Sequence, residues 1–298
     1  MRLLIIGLNY APESTSYTAE LSEYLVHRGH NVQVITAFPI VPNWKIWPEY
    51  RHKYFMREVI RDVPVLRSYL YVPENPRRPF GRIMFDTSFS VSAFASSILT
   101  AGCDLVLAVL PPLQVGILAH LTSRLKGAPL FVHLQDIVPD VAIATGALRD
   151  GGVAVKIAHM MERFTYARAK GIGVICEGFA DNLRAKGVPA SKIAILPNWV
   201  DLTFIQPGER SNEFRKTQAL DQDDFVVMYS GSVSAKQGLE KGLEYGRAWR
   251  SGCCLCRLWP GKSTRCSCPP RVFGPPDGCR SKSRTSRTAR PWGRPSGC

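Results

Sequence analysis

The last 52 residues of this 298-residue chain lack most of what a folded domain is built from. Residues 247–298 contain no Ile, Met, Tyr, His, Glu, Asn or Gln, and one acid, Asp277. The first 246 residues are short of something else: cysteine, with Cys103 and Cys176 alone, which fits a reducing cytoplasm. The chain also lacks a secretory core. Leu3–Ile6 is four apolar residues ending at Gly7, where a signal peptide needs about 7–15. No stretch reaches the roughly 18 uninterrupted apolar residues of a spanning helix; the nearest, 83–109, is broken by Asp86, Asp104 and several serines. Acid is scarce only at the end. The tail holds 12 of the 38 Lys+Arg, so most of the formal charge of +14 sits there. That uneven placement argues against reading the whole chain as a nucleic-acid binder.

What is present in the front is an alternation of short apolar runs and longer helical patterns. Leu3–Ile6, Val32–Thr36, Leu105–Val109, Leu130–Leu134, Ile172–Cys176 and Ile193–Leu196 read as strands. Their continuous rather than alternating apolar character suits a parallel sheet covered on both faces. Thr18, Leu21 and Leu25 repeat at helical spacing, with Gly29 as a left-handed cap, and Leu113–Leu125, Val153–Ala167 and Phe179–Lys186 repeat the form. Such alternation predicts a doubly wound, mostly parallel α/β domain. Residues 37–82 interrupt the rhythm with Pro, Trp, Tyr and Arg and read as a long loop region beside the sheet. The expected organisation is an N-terminal Rossmann-like domain over 1–200 and a connector over 201–224. The first βα unit of a second, incomplete Rossmann domain follows over 225–246, and a disordered Cys-, Arg- and Pro-rich tail over 247–298.

Four segments resemble family 4 glycosyltransferases of the GT-B fold, in the exopolysaccharide or colanic-acid-type branch. They are Gly7-Leu8-Asn9-Tyr10-Ala11-Pro12-Glu13 with Arg28-Gly29-His30-Asn31-Val32; Gln135-Asp136-Ile137-Val138-Pro139-Asp140; Leu196-Pro197-Asn198-Trp199-Val200-Asp201; and Ser230-Gly231-Ser232 with Lys236-Gln237-Gly238. They stand in family order over about 240 residues, and nothing after Glu240 continues the likeness. The resemblance implies a metal-independent, anomer-retaining transfer from a nucleotide sugar to a saccharide or polyprenyl-linked acceptor. No metal or other cofactor is expected, and the connector acids around Asp221 read as solvated.

The resemblance marks candidate residues, and each has a plainer alternative. Gly231, Ser232 and Lys236 form a glycine turn between a strand and a helix, where free amides, the helix dipole and an ammonium group suit a leaving diphosphate; the alternative is an ordinary strand–helix turn. Gly7, Asn9, Tyr10, Pro12 and Glu13 form the loop after the first strand, where glycine is also common packing punctuation. Asp136 is the candidate acceptor-side base or orienting group, with Gln135 beside it; a loop or helix-start acid is the alternative. His133 belongs to the same catalytic set or is simply a buried strand histidine. Asn198 and Asp201 line the cleft or shape the hinge turn. The basic and aromatic segment 76–82, with Phe85, Phe89 and Phe94 after it, suits peripheral contact with the inner face of the plasma membrane, or is a solvated loop before a packed helix.

Two other classes compete. One is a sugar-nucleotide epimerase of the same architecture, which would need acids and histidines clustered in a cleft. The other is a non-enzymatic acceptor- or anion-binding fragment that uses the basic tail. The tail's seven cysteines include two C-x-C pairs and no histidine, which argues against structural zinc. Its composition matches GC-rich DNA read out of frame, and specific nucleic-acid binding is not expected. Relatives carry a full second domain with paired glutamates for ribose and sugar, so this chain is expected to be inactive or impaired. Translating the DNA downstream of codon 236 in the other two frames should restore strand and helix patterns and paired glutamates over roughly 150 residues, a typical domain length. Stop codons closing both frames would establish the tail as genuine and put the binding reading first.

Overall fold

In the computed structural model the described residues are 1–13, 17–75, 78–144, 146, 151–200, 202–203, 205–218, 220–223 and 226. Contacts divide the chain into two units, Met1–Gln206 and Pro207–Cys298. In the second, the described residues include one short helix, Glu213–Thr217, whose N-terminus is capped by the Asn212 side chain accepting from Arg215 N at 3.0 Å. Apart from residue 226, the expected strand at 225–229, the helix near Ala235 and the tail lie outside the described residues.

The first unit opens with β1 (Arg2–Ile6), α1 (Tyr17–His27) and β2 (Asn31–Ala37). A hairpin of β3 (Phe55–Ile60) and β4 (Val63–Ser68) follows, then α2 (Pro79–Ile98), β5 (Leu105–Leu110), α3 (Leu113–Lys126) and β6 (Leu130–Leu134). The unit ends with α4 (Val138–Ala144), α5 (Val153–Arg168), β7 (Gly171–Val174), α6 (Glu177–Ala185) and β8 (Ile193–Ile195). One eight-stranded sheet runs β3-β4-β2-β1-β5-β6-β7-β8. Every pairing is parallel except that of β3 with β4. The six strands read from apolar runs are present, and Gly29 closes α1 at φ 80°, where a side chain would be strained.

Residues 37–82 differ from the expected loop. They contain β3 and β4, joined by a two-residue turn at Arg61 and Asp62, both at positive φ (47° and 63°). Such turns normally announce themselves with Asn-Gly or Asp-Gly; Arg-Asp gives no such signal. The edge strand β3 alternates exposed and half-buried residues, with Arg57 and Glu58 breaking any apolar run.

Both faces of the sheet are covered, and β1 shows how. Ile5 packs with Ala19 of α1, Val34 and Tyr10, while Leu4 and Ile6 join the opposite cluster with Phe85 and Phe89 of α2 and Ala119 of α3. Phe85 and Phe89 are thus core residues, so neither is available to a membrane.

A charged group lies within this apolar interior. Arg67 of β4 has no exposed surface. Its guanidinium donates to Glu58, to the Ala11 carbonyl and, at 2.8 Å, to the Ala37 carbonyl, and it stands 5.0 Å from the Tyr50 ring centre. A buried cation persists only when its donors are met. These donors tie the loop after β1 and the end of β2 to β4. Replacing Arg67 with Met leaves Glu58 and two carbonyls without their donor. The expected loss is about 3 kcal/mol of unfolding free energy, measured by urea denaturation of the full chain.

Candidate functional site

β1 and β5 lie side by side at the centre of the sheet, and the strand order runs outward from them in both directions. In open parallel sheets the carboxyl edge at such a switch point is where ligands bind. The loops at this edge include residues 7–13 after β1, 135–137 after β6 and 196–199 after β8.

His133, next to last in β6, is 1% exposed and sits opposite Val109 of β5 and Gly173 of β7. A Cβ on Gly173 would come 2.8 Å from His133 Cδ2, so glycine there makes room for the ring. One ring nitrogen, Nε2, is 3.2 Å from the Leu196 carbonyl and the other, Nδ1, is 3.1 Å from Gln135 Nε2. A carbonyl only accepts, which assigns the proton to Nε2 and leaves Nδ1 to accept from the Gln135 amide. Gln135 and Asn198 then close a reciprocal pair, each amide donating to the other's oxygen at 2.9 Å. Every polar atom agrees with a neutral imidazole, and burial pushes the His133 pKa down, partly opposed by the bond to Leu196.

Two aromatic residues complete the wall. Tyr17, the first residue of α1, stacks on His133 with ring centres 4.4 Å apart and planes 8° from parallel. Trp199 leans on Tyr17 at 4.7 Å and remains 42% exposed. Neither was among the expected site residues. Trp199 sits beside Asn198 and was within reach of that motif, whereas Tyr17 carries no sequence signal beyond opening a helix at this edge.

The loop after β1 has a different character. Gly7 allows close packing, since a Cβ there would lie 2.8 Å from Thr18 Oγ1 of α1. Tyr10 is fully buried, and that burial pushes its hydroxyl pKa up to about 12. Asn9 and Pro12 are exposed. Glu13 is buried, with Oε1 accepting from the Ile40 and Val41 amides at 2.6 and 2.9 Å. Desolvation pushes its carboxyl pKa up despite those two bonds. Of this loop's residues, Glu13 therefore holds backbone, Tyr10 packs in the core, and Asn9 and Pro12 face solvent.

Asp136 follows Gln135 and is partly exposed, just before α4. Asp140 on α4 accepts from Asn182 at 2.6 Å and from Lys186 at 2.9 Å, and Lys186 also reaches Glu162 at 3.1 Å. Asp140, His159 and Glu162 offer ligand atoms within 4.8 Å of one another. The Lys186 ammonium, however, already pairs with both carboxylates and stands where a cation would. This network pins α4, and so the far end of the Asp136 loop, to α5 and α6. Asp201, Gly231, Ser232 and Lys236 lie outside the described residues.

Residues 14–199 match the model of the glycosyl transferase 4-like domain. The chain belongs to the glycosyl transferase 4-like family. This family segment contains Tyr17, His133, Gln135, Asp136, Asn198 and Trp199, while residues 7–13 precede it. A protein named for colanic acid biosynthesis, the glycosyl transferase WcaI of Escherichia coli (strain K12), is 31% identical over 253 residues, covering 82% of this chain and 62% of WcaI. The chain therefore spans less than two thirds of that relative's length. Among solved structures, sucrose-phosphate synthase from Thermosynechococcus elongatus is similar at a TM-score of 0.61 and 16% identity, over 88% of this chain and 64% of that one. A trehalose-6-phosphate structure from E. coli, bound with UDP-2-fluoro glucose, is similar at a TM-score of 0.54 and 10% identity, over 86% of this chain and 64% of that one. Both similarities support the fold. No helix among the described residues is long and apolar enough to cross a membrane.

The buried neutral histidine has a thermodynamic consequence. A histidine whose pKa falls on folding binds its proton more tightly in the unfolded chain. Stability is then fully present above the ordinary value of about 6.5 and is lost as pH falls through the depressed folded value. Replacing His133 with Phe should flatten this part of the curve of unfolding free energy against pH. An unchanged curve would mean that His133 is not held neutral.

Proposed function

We propose that the protein takes part in moving a sugar from a nucleotide sugar to a hydroxyl of a saccharide or polyprenyl-linked acceptor during assembly of a bacterial surface polysaccharide. The observation that carries this reading is the closed His133–Gln135–Asn198 network at the carboxyl edge, which joins the Asp136 loop to the segment leaving β8 in a domain of a glycosyl transferase family. The relationship to WcaI supports the polysaccharide class, and the bound UDP-2-fluoro glucose of a similarly folded protein supports a nucleotide-sugar donor.

In this reading the bond between the sugar's anomeric carbon and the diphosphate breaks, and the electron pair leaves with the phosphate. The acceptor oxygen forms the new bond to that carbon. Asp136 orients the acceptor hydroxyl and takes its proton. Both nitrogens of His133 are engaged within the protein, so it acts as a strut for Gln135 and the 196–199 segment. The exposed face of Trp199 offers an apolar surface for a sugar ring. In this reading Gly231, Ser232 and Lys236 hold the diphosphate. The reading uses no metal ion and no further cofactor. A polyprenyl-linked acceptor would bring the protein, as a peripheral partner, to the cytoplasmic face of the plasma membrane.

The test is turnover of a panel of nucleotide sugars by the full chain with saccharide acceptors. Slow transfer from at least one donor is expected. Asp136→Asn should lower kcat by about 100-fold or more while changing KM little, as for loss of a general base. No transfer from any donor, or transfer indifferent to Asp136, would overturn the reading.

A further inference from the structure

α2 is apolar on its outer side as well as on its packed side. Its packed side carries Ser90, Ser92, Ser96 and Ser97, all buried. They bond inward: Ser96 and Ser68 share a hydroxyl bond at 2.7 Å, Ser97 accepts from Thr122 of α3 at 3.1 Å, and Ser92 donates to the Tyr69 carbonyl. The solvent side carries apolar residues as well. Phe80 is 75% exposed, Ile83 55%, Val91 55% and Ile98 58%. Hydroxyls are thus sealed in beside the buried Phe85, Phe89 and Ala93, while further large apolar groups face water on the side that an ordinary surface helix keeps polar.

The exposed side has a definite period. The exposed Phe80, Met84, Val91 and Ile98, with the half-buried Thr87 and Phe94 between them, are spaced alternately four and three residues apart along the whole helix. That is the 3.5-residue repeat of a seam between two helices, not the broader stripe of a helix covering a core. Ser90 and Ser97 apart, which are buried, the flanking positions are Gly81, Ile83, Ser88 and Ala95, and none carries a charge that would select a different partner. Arg82 and Asp86, the charged residues of the helix, bond each other at 3.3 Å, and the Arg82 guanidinium lies 5.1 Å from the Phe85 ring. A helix lying on a lipid surface is normally rich in free cations on its polar side; α2 is not.

We propose that this face of α2 pairs with the same face of a second copy of the chain. An uncharged seam is self-complementary, as a two-fold interface requires. Exposed apolar surface continues onto the side of α3 next to α2, where Leu121 is 43% and Leu125 54% exposed and Thr122 between them bonds Ser97. At roughly 180 Å² for a large, fully exposed apolar side chain, the exposed apolar groups of α2 and α3 together present roughly 700 Å² per copy. That approaches the about 800 Å² per partner of a stable interface. The pairing leaves the carboxyl-edge site of each copy to work alone, so it stands or falls separately from the proposed activity.

Sedimentation equilibrium of the full chain under reducing conditions tests it. A reversible dimer is expected, and Val91→Lys at the middle of the seam should raise its dissociation constant at least tenfold. Met84→Glu should do the same, while Tyr24→Lys on α1, another exposed position, should leave it unchanged. All three positions are exposed, and circular dichroism would show the variants folded. A monomer at about 100 μM, or a dimer indifferent to Val91→Lys and Met84→Glu, would overturn the proposal. So would a monomer that sediments with phosphatidylglycerol vesicles until Val91 is changed, which would assign the seam to lipid.

Discussion

The carboxyl edge of this sheet is organised around one desolvated charge. Arg67 cannot reach water, so its donors must find oxygen inside the protein. They find the carbonyls of Ala11 and Ala37 and the carboxylate of Glu58, and the flat cation faces the Tyr50 ring. These contacts fix the loop after β1 to the end of β2. Glu13 reinforces the join from the other side by accepting from the amides of Ile40 and Val41. Backbone polar groups that would otherwise be stranded in irregular structure are thereby satisfied. With that loop anchored at Ala11 and Glu13, Tyr17 at the head of α1 lies flat on His133.

From His133 onward the site is a chain of single-valued choices. Glycine at 173 admits the ring, the Leu196 carbonyl dictates the tautomer, and the tautomer dictates which way the Gln135 amide faces. That amide in turn dictates the orientation of Asn198. No member has a free lone pair or proton directed at another, so the network has one good arrangement. It joins segments 63 residues apart in sequence at the carboxyl edge of the sheet.

Much of the fold was legible because a parallel sheet covered on both faces writes itself as apolar runs, and β1, β2, β5, β6, β7 and β8 all do so. The β3–β4 hairpin was not legible. Its edge strand alternates, and its turn uses Arg61 and Asp62 in place of glycine. For the site, Gln135, His133 and Asn198 were named from motifs, and the structure brings these three together. Tyr17 escaped notice because stacking is a relation between distant residues and leaves no local pattern. Arg67 escaped for the same reason, since a lone arginine in a strand reads as surface until its burial is known.

The reciprocal amide pair also bears on how the chain can change over generations. Glutamine and asparagine face each other with donor against acceptor at both contacts, so an acid at either position sets oxygen against oxygen. Neither residue can become an acid by itself without trading one of the two bonds for that repulsion. Positions 135 and 198 therefore form a single heritable unit, and among related chains a substitution at one should be accompanied by a matching substitution at the other.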